Sequence, residues 1–229
     1  MSVAGGPDLI QDGLVLCLDA ANTKSYPGSG TSWVDLSRNG NNGTLTNGPT
    51  FNSLNGGSIV FDGTNDFVDC GNVFATTVTA LTLECFIKIG KLNAKQIIFS
   101  NYNNQLGWGL ELYNSNVFNF FGFASFATAA GINSGTTVAL NDIWHVCGVF
   151  VANSRFSIYL NGVLNNSVST NLSVLTKLTN GAMYLAEDPD SSQIAPFKGE
   201  IYNAKAYNRA LSPSQILQNY NGIKGRFRL

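Results

Sequence analysis

Short runs of alternating hydrophobic and polar residues recur about every ten residues along the chain, separated by clusters of Gly, Asn, Asp and Ser. Alternation with a period of two is typical of a strand with one buried face, and many short, evenly spaced strands indicate a sandwich or barrel. The pattern predicts an all-β chain with strands at 14–18, 58–61, 67–70, 81–89, 96–100, 108–113, 117–121, 144–151, 155–160, 163–169, 182–186 and 200–207.

Two local signals define elements more sharply. Asn161 and Gly162 lie between two predicted strands and accept the positive φ angles of a two-residue type I′ turn, which predicts a hairpin. Ser212, Pro213 and Gln215 supply an N-cap, a proline for the first helical position and a capping-box partner. The chain is therefore expected to end with one short amphipathic helix, with no helix before it.

Four segments carry a family resemblance: GLVLCLDAAN with SYPGSGTSWVDLS (13–37), GNNGTLTNGPTF (40–51), GSIVFDGTNDFV (57–68) and AYNRALSPSQILQNYN (206–221). Together they resemble the laminin-G-like, concanavalin A-like lectin/glucanase jelly-roll family, in particular its stand-alone versions in bacteriophage virion proteins. The resemblance implies a jelly-roll β-sandwich of two antiparallel sheets with one short C-terminal helix. It predicts an N-terminal arm at 1–12, a single domain at 13–222 and a C-terminal tail at 223–229.

Composition fits one globular domain with a neutral, polar surface. Hydrophobic residues make up 44% of the 229 residues and charged residues 12%, which is enough apolar material for a core and too little charge for a disordered chain. The formal net charge of -1 gives no general attraction to phosphate backbones or anionic membranes. No segment approaches the ~20 apolar residues of a membrane span. Neither nucleic acid nor a membrane is expected as a partner.

The compartment follows from the N-terminus and the cysteines. The first residues, MSVAGGPDLIQDG, lack the basic start and apolar run of a secretory signal. Cys17, Cys85 and Cys147 lie inside apolar strand patterns, where a reduced thiol packs as a small hydrophobe, and Cys70 follows a strand end. We expect reduced thiols, although a disulfide is compatible with the spacing. We also expect a virion protein that is made in the host cytoplasm.

Catalytic patterns are missing from the sequence. Glycoside hydrolysis needs two carboxylates about 5–9.5 Å apart, and the Glu-x-Asp-x-x-Glu strand motif of glucanases with this fold is absent. Glu84 and Glu111 each lie on a predicted strand without a second acid. His145, the only histidine, begins a hydrophobic strand and is expected to be a structural strand residue rather than a base. The sequence predicts a non-enzymatic protein.

A metal site is the open cofactor question. Calcium binds several oxygen ligands from loops, and laminin-G-like relatives often carry calcium at the rim of the sandwich. The segment FDGTNDFVD offers such ligands in Asp62, Asn65, Asp66 and Asp69. The alternative, which we favour, is that these are turn residues whose side chains cap local backbone amides. Structural calcium is the one cofactor that the sequence raises.

Glycan binding has one candidate loop. Sugar recognition needs aromatic faces for C–H surfaces and fixed polar groups for hydroxyls. The segment SNYNNQLGWGLELYN offers Tyr102, Asn103, Asn104, Gln105 and Trp108. In the alternative interpretation Trp108 begins a core strand and the amides form its loop.

The run NVFNFFGFASFATAAG (116–131) is unusually aromatic. Phe118 and Phe120 alternate with Phe121 and Phe123 in a way that places rings on both faces of a strand, with Phe126 beyond them. If one face is exposed, it predicts an association surface, because contiguous apolar patches rarely remain bare on soluble monomers.

The C-terminal tail is the candidate docking segment. The favoured interpretation of the basic cluster Lys224, Arg226 and Arg228 is a solubilising tail; the alternative is a docking peptide, because Phe227 and Leu229 alternate with the arginines as in a strand. The first function expected is a non-enzymatic virion structural protein, in capsid decoration or a fibre, that forms a homo-oligomer and contacts other virion proteins. The second is a lectin module for host-surface glycans, and the third an unrecognised glycoside hydrolase.

Overall fold

The computed structural model describes residues 8–74, 77–103, 106–177, 181–187 and 195–227. These residues form β1 (Leu14–Asp19), β2 (Ser32–Trp33), β3 (Gly43–Thr46), β4 (Thr50–Asn52), β5 (Ser58–Asp62), β6 (Phe67–Asp69), β7 (Ala80–Ile89), β8 (Gln96–Asn103), β9 (Leu106–Leu112), β10 (Val117–Ser125), β11 (Thr128–Thr137), β12 (Ile143–Val151), β13 (Arg155–Leu160), β14 (Val163–Ser169), β15 (Tyr184–Leu185), β16 (Lys198–Tyr207) and α1 (Pro213–Ile223). Two 3-10 turns, Leu54–Gly56 and Lys224–Arg226, complete the elements.

The strands form two antiparallel sheets. The first has the order β14-β13-β12-β7-β16-β5-β4, with β1 paired to the C-terminal half of β16, so the first and last strands are neighbours as expected. The second has the order β11-β10-β9-β8-β15-β6-β3-β2. The predicted all-β sandwich with one C-terminal helix is confirmed.

The core lies between the inner faces of the two sheets. Leu83, Cys85 and Ile87 of β7 are fully buried in one continuous cluster with Phe118 and Phe120 of β10. The cysteines Cys17, Cys70, Cys85 and Cys147 are all unpaired and buried, as expected for reduced thiols. Burial raises their thiol pKa values, so the thiols stay protonated and pack as apolar groups.

Both local signals form the structures that the sequence predicts. Asn161 and Gly162 have φ angles of 50° and 78°, as the hairpin turn requires. The Ser212 hydroxyl accepts a hydrogen bond from the Gln215 backbone N–H, and the Gln215 side chain accepts one from the Ser212 N–H. The helix buries Ile216 against the first sheet. No helix in the described part of the chain is long and apolar enough to cross a membrane.

The strand prediction missed four strands. Three of them, β2, β3 and β4, are two to four residues long and too short to show a periodicity. The fourth, β11, is ten residues long but reads TAAGINSGTT. It has one large apolar side chain, Ile132, so its strand conformation depends on pairing with β10 rather than on its own hydrophobic pattern.

The predicted terminal arms are corrected by the structure, because residues 8–12 and 223–227 pack on the first sheet. The Ile10 backbone N–H donates to Asn219 Oδ1 at 2.9 Å. Phe227 is buried and stacks on Phe86 with ring centroids 5.0 Å apart. Arg226 forms two hydrogen bonds to the Asp19 carboxylate. Lys224 lies over the ring of Tyr220 at 5.2 Å from its centroid.

Because of these contacts, three of the predicted docking residues are not free to act as a docking peptide. Lys224, Arg226 and Phe227 belong to the packed domain, because their apolar and charged groups already have partners within it. Arg228 and Leu229 lie outside the described residues. The domain therefore extends in both directions beyond the predicted limits of 13 and 222.

Candidate functional site

A groove of about 460 Å³ crosses the outer face of the second sheet, over β8, β9, β10 and β11. Its position follows from strand register. Asn119, Phe121 and Phe123 alternate along β10 on this outer face, opposite the inward-facing Phe118 and Phe120. The groove is therefore lined by side chains that the core does not use.

Small residues next to Phe121 make room for the groove. Phe121 pairs with Gly109 on β9 and with Gly131 on β11. A Cβ atom at Gly109 would lie 2.8 Å from the Phe121 ring, so the ring lies across the glycine where another residue would carry a side chain. Phe123 pairs with Gly107 and Ala129 in the same way. The aromatic rings thus lie low on the sheet and leave space above it.

One end of the groove is aromatic. The Tyr102 ring stacks on Phe123 with centroids 5.3 Å apart and meets Phe121 edge-on at 5.4 Å. All three side chains remain partly exposed. Rings of this kind offer faces to the C–H surface of a ligand, and the Tyr hydroxyl adds a polar tip.

The other end of the groove is polar. Glu111 on β9 is cross-strand from Asn119, which in turn is cross-strand from Asn133 on β11. Asn119 Nδ2 donates to Asn133 Oδ1 at 2.8 Å. Lys95 Nζ lies 3.2 Å from Glu111 Oε2, and Tyr113 also lines this end. Burial raises the pKa of the Glu111 carboxyl above its ordinary value, and Lys95 and Tyr113 only partly offset this effect.

The residues of the predicted glycan loop do not all lie in the groove. Tyr102 lines the groove, as the prediction requires. Trp108 is wrong as a glycan residue, because it is fully buried on the opposite face of β9 and its ring packs edge-on against Phe74 at 5.5 Å. The side chain of Asn103, and Asn104 and Gln105 entirely, lie outside the described part of the chain.

Most of the groove was missed by reasoning from the sequence. The prediction of an aromatic association surface named Phe121 and Phe123 but joined neither of them to Tyr102. No sequence pattern pointed to Asn119, Asn133 or Lys95 as site residues, because β11 was not predicted and a lone Asn or Lys is common on any surface. An alternation analysis of 117–123 would have placed Asn119 on the same face as Phe121.

The predicted calcium ligands make local hydrogen bonds. Asp62 accepts from the Thr64 N–H, Asp66 accepts from the Asp62 N–H, and Asp69 accepts from the Gly71 N–H. These are the bonds of the turn interpretation. Within the described ranges no group of three or more His, Cys, Asp or Glu side chains is placed to hold a metal. Calcium binding by these residues and Asn65 stays a prediction.

Glu84 and His145, the other groups weighed for catalysis, form a buried network beneath α1. Glu84 Oε1 accepts from Lys205 Nζ at 2.9 Å and from Asn219 Nδ2 at 3.0 Å. His145 Nε2 lies 3.5 Å from Glu84 Oε2, and neither side chain is exposed. Burial alone would raise the pKa of Glu84, but Lys205 and His145 outweigh it and lower the pKa to about 2. A substrate cannot reach these groups, so their role is structural.

The comparison with family models gives one match. Residues 62–217 match the model of the concanavalin A-like lectin/glucanases superfamily. The match spans well over half of the chain, and the chain belongs to this family. No curated protein matches the sequence.

Solved structures share the fold at low sequence identity. The botulinum neurotoxin serotype D ligand-binding domain, in complex with N-acetylneuraminic acid, superposes with a TM-score of 0.73 at 15% identity, over 93% of this chain and 52% of that one. The binding domain of botulinum neurotoxin DC, in complex with rat synaptotagmin II, gives 0.72 at 13% identity over 93% and 52%. The binding domain of Paraclostridial mosquitocidal protein 1 gives 0.71 at 16% identity over 92% and 52%. The chain spans about half the length of the structures that it matches.

Proposed function

We propose that this chain, as a member of the concanavalin A-like lectin/glucanase superfamily, is a non-enzymatic binding module that holds glycans in the groove of its second sheet. The observation that carries the proposal is the partly exposed cluster of Tyr102, Phe121 and Phe123 beside the polar Glu111 and Asn119. Aromatic walls with a few fixed polar groups are the usual features of a small-ligand pocket.

The groove favours binding over hydrolysis. Cleavage of a glycosidic bond requires a pair of carboxyl groups on either side of the bond. Among the described lining residues Glu111 is the single acid, and its carboxylate is held by Lys95. Glu84 is buried beneath α1 on the other sheet. The described lining residues of the groove do not assemble the pair that a glycosidase needs.

Relatives of the same fold support a binding role. One neurotoxin domain is seen with N-acetylneuraminic acid and another with rat synaptotagmin II, a sugar in one case and a protein in the other. At 13–15% identity these structures share the fold alone with this chain. The ligand class is therefore indicated by the groove and not by these structures.

Substitution of the aromatic cluster tests the proposal. We expect the protein to give specific hits on a glycan array, and Tyr102→Ala and Phe121→Ala each to weaken binding of the best hit at least about tenfold, equivalent to 1.4 kcal/mol. Titration calorimetry measures the affinity. Phe126→Ala is the matched control, because Phe126 is 64% exposed at the β10–β11 turn and is not a lining residue. A blank array, or equal losses for Phe126→Ala and Phe121→Ala, would contradict glycan binding in the groove.

The finer proposal places the module on a bacteriophage virion. It is supported by the sequence resemblance and by exposed apolar side chains at the edge of the first sheet, Val163 and Leu164 on β14, beside Leu217 on α1. Such side chains suit contacts with further copies of the chain or with other virion proteins. We expect the chain to copurify with intact particles through a density gradient, and its absence from washed particles would remove this role.

A further inference from the structure

The charges of the groove are balanced. Lys95 and Glu111 are the charged side chains among its described lining residues, and their Nζ and Oε2 atoms lie 3.2 Å apart. Arginine, whose planar guanidinium binds carboxylates with two hydrogen bonds, does not occur among these lining residues. Among the described lining residues, a ligand carboxylate therefore meets no uncompensated cation.

The polar end of the groove is also shielded from solvent. Asn119 is 6% exposed, and no donor in the described part of the chain reaches its Oδ1 atom. Glu111, on the cross-strand neighbour β9, is 2% exposed, and its Oε2 atom is ion-paired with Lys95 Nζ. Because solvent hardly reaches Asn119 and Glu111, a second negative charge beside the Glu111 carboxylate would be poorly screened and unfavourable.

We propose that the groove selects neutral glycans over glycans that carry a carboxylate. This inference rests on the proposed glycan-binding function and adds the ligand class. In this arrangement the sugar ring lies on Tyr102 and Phe121, while its donor groups face the polar end.

The argument against acidic glycans is electrostatic. A carboxylate is an acceptor only, and near Asn119 and Glu111 it would face two further acceptors, one of them negatively charged. It would also lose its hydration on entering the groove without gaining a cation. The raised pKa of Glu111 has the same origin, since burial already disfavours negative charge at this position. The expected ligand therefore differs from N-acetylneuraminic acid, the acidic sugar in the structure of one neurotoxin domain.

Matched glycans test this selectivity. The probes are neutral oligosaccharides and the same oligosaccharides with one terminal sialic acid, presented on one array and then titrated singly. We expect the wild-type protein to bind the neutral member of its best pair at least about tenfold more tightly. We expect Glu111→Gln to narrow or reverse this preference, because the substitution keeps the size of the side chain and leaves the charge of Lys95 uncompensated.

Glu200→Gln is the matched control. Glu200 is ion-paired with Lys88 at 3.1 Å on the first sheet, so the same substitution beside another lysine should leave the preference unchanged. Tighter binding of the sialylated member by the wild-type protein would overturn the inference while leaving glycan binding in place. The inference would equally be overturned if the preference of Glu111→Gln matched that of the wild type. Absence of binding to both members would instead overturn the proposed function, and the inference with it.

Discussion

Lys205→Met is expected to lower the free energy of unfolding by about 3–5 kcal/mol, because it leaves the Glu84 carboxylate buried without its main partner. Lys205 and Glu84 are 2% and 0% exposed, so water cannot replace the ammonium group. Methionine fills much of the lysine volume, which keeps the loss of packing small. Urea unfolding followed by tryptophan fluorescence measures the change, and the same loss should appear as a lower melting temperature.

Lys88→Met is the matched control for this prediction. Lys88 also pairs with a glutamate on the first sheet, Glu200, but its side chain is 34% exposed. A solvated pair contributes little, so a loss below about 1 kcal/mol is expected. Equal effects of the two substitutions would show that burial of the Glu84 network does not determine its contribution to stability.

The contribution of Glu84 to the pH dependence of stability should change sign between the wild type and Lys205→Met. In the wild type the pKa of Glu84 lies below the ordinary value of 4.5, so its contribution is complete above pH 4.5 and is lost as pH falls toward 2. In Lys205→Met, burial dominates and raises the pKa of Glu84, so protonation favours the folded state. The difference in unfolding free energy between the two proteins should therefore shrink on acidification.

The same network explains why the limits of the domain could not be predicted. Asn219 on α1 donates to Glu84 on β7 and accepts from the Ile10 backbone N–H. Glu84 and Asn219 are 135 residues apart, and neither shows a local pattern that points to the other. Residues 8–12 and 223–227 lack the periodicity of a core element, so they resembled free arms in the sequence. They are held by contacts that exist only once the sheet has formed.

Elements whose conformation is fixed by near neighbours were predicted well. The capping box of α1 and the Asn161-Gly162 turn depend on residues within four positions, and both formed as expected. Strands with large alternating side chains, such as β7 and β13, were recognised for the same reason. The groove depends on β11, a strand of small and polar residues, and on Gly109, whose importance is visible only when the ring of Phe121 lies across it.

Trp108→Ala is expected to lower the free energy of unfolding by about 3–5 kcal/mol, the usual range for removal of a fully buried tryptophan ring from a core. The Trp108 side chain has no exposed surface and packs on Phe74 between the sheets. Any weakening of glycan binding should appear only as a result of this loss of stability. Chemical denaturation measures the effect, with Trp108→Phe as a milder variant that retains part of the packing.

Tyr102→Ala distinguishes the structural role of Trp108 from a ligand role. Tyr102 lies six residues earlier, on the outer face, where its ring is partly exposed in the groove. Its substitution should reduce glycan affinity while changing the free energy of unfolding by less than half as much as Trp108→Ala. If Trp108→Ala instead folded with wild-type stability and lost glycan binding, the indole would have to face the ligand, which is incompatible with its place in the core. Substitution of these two aromatic residues, which lie in one short segment, therefore distinguishes a loss of ligand binding in the groove from a loss of packing in the core.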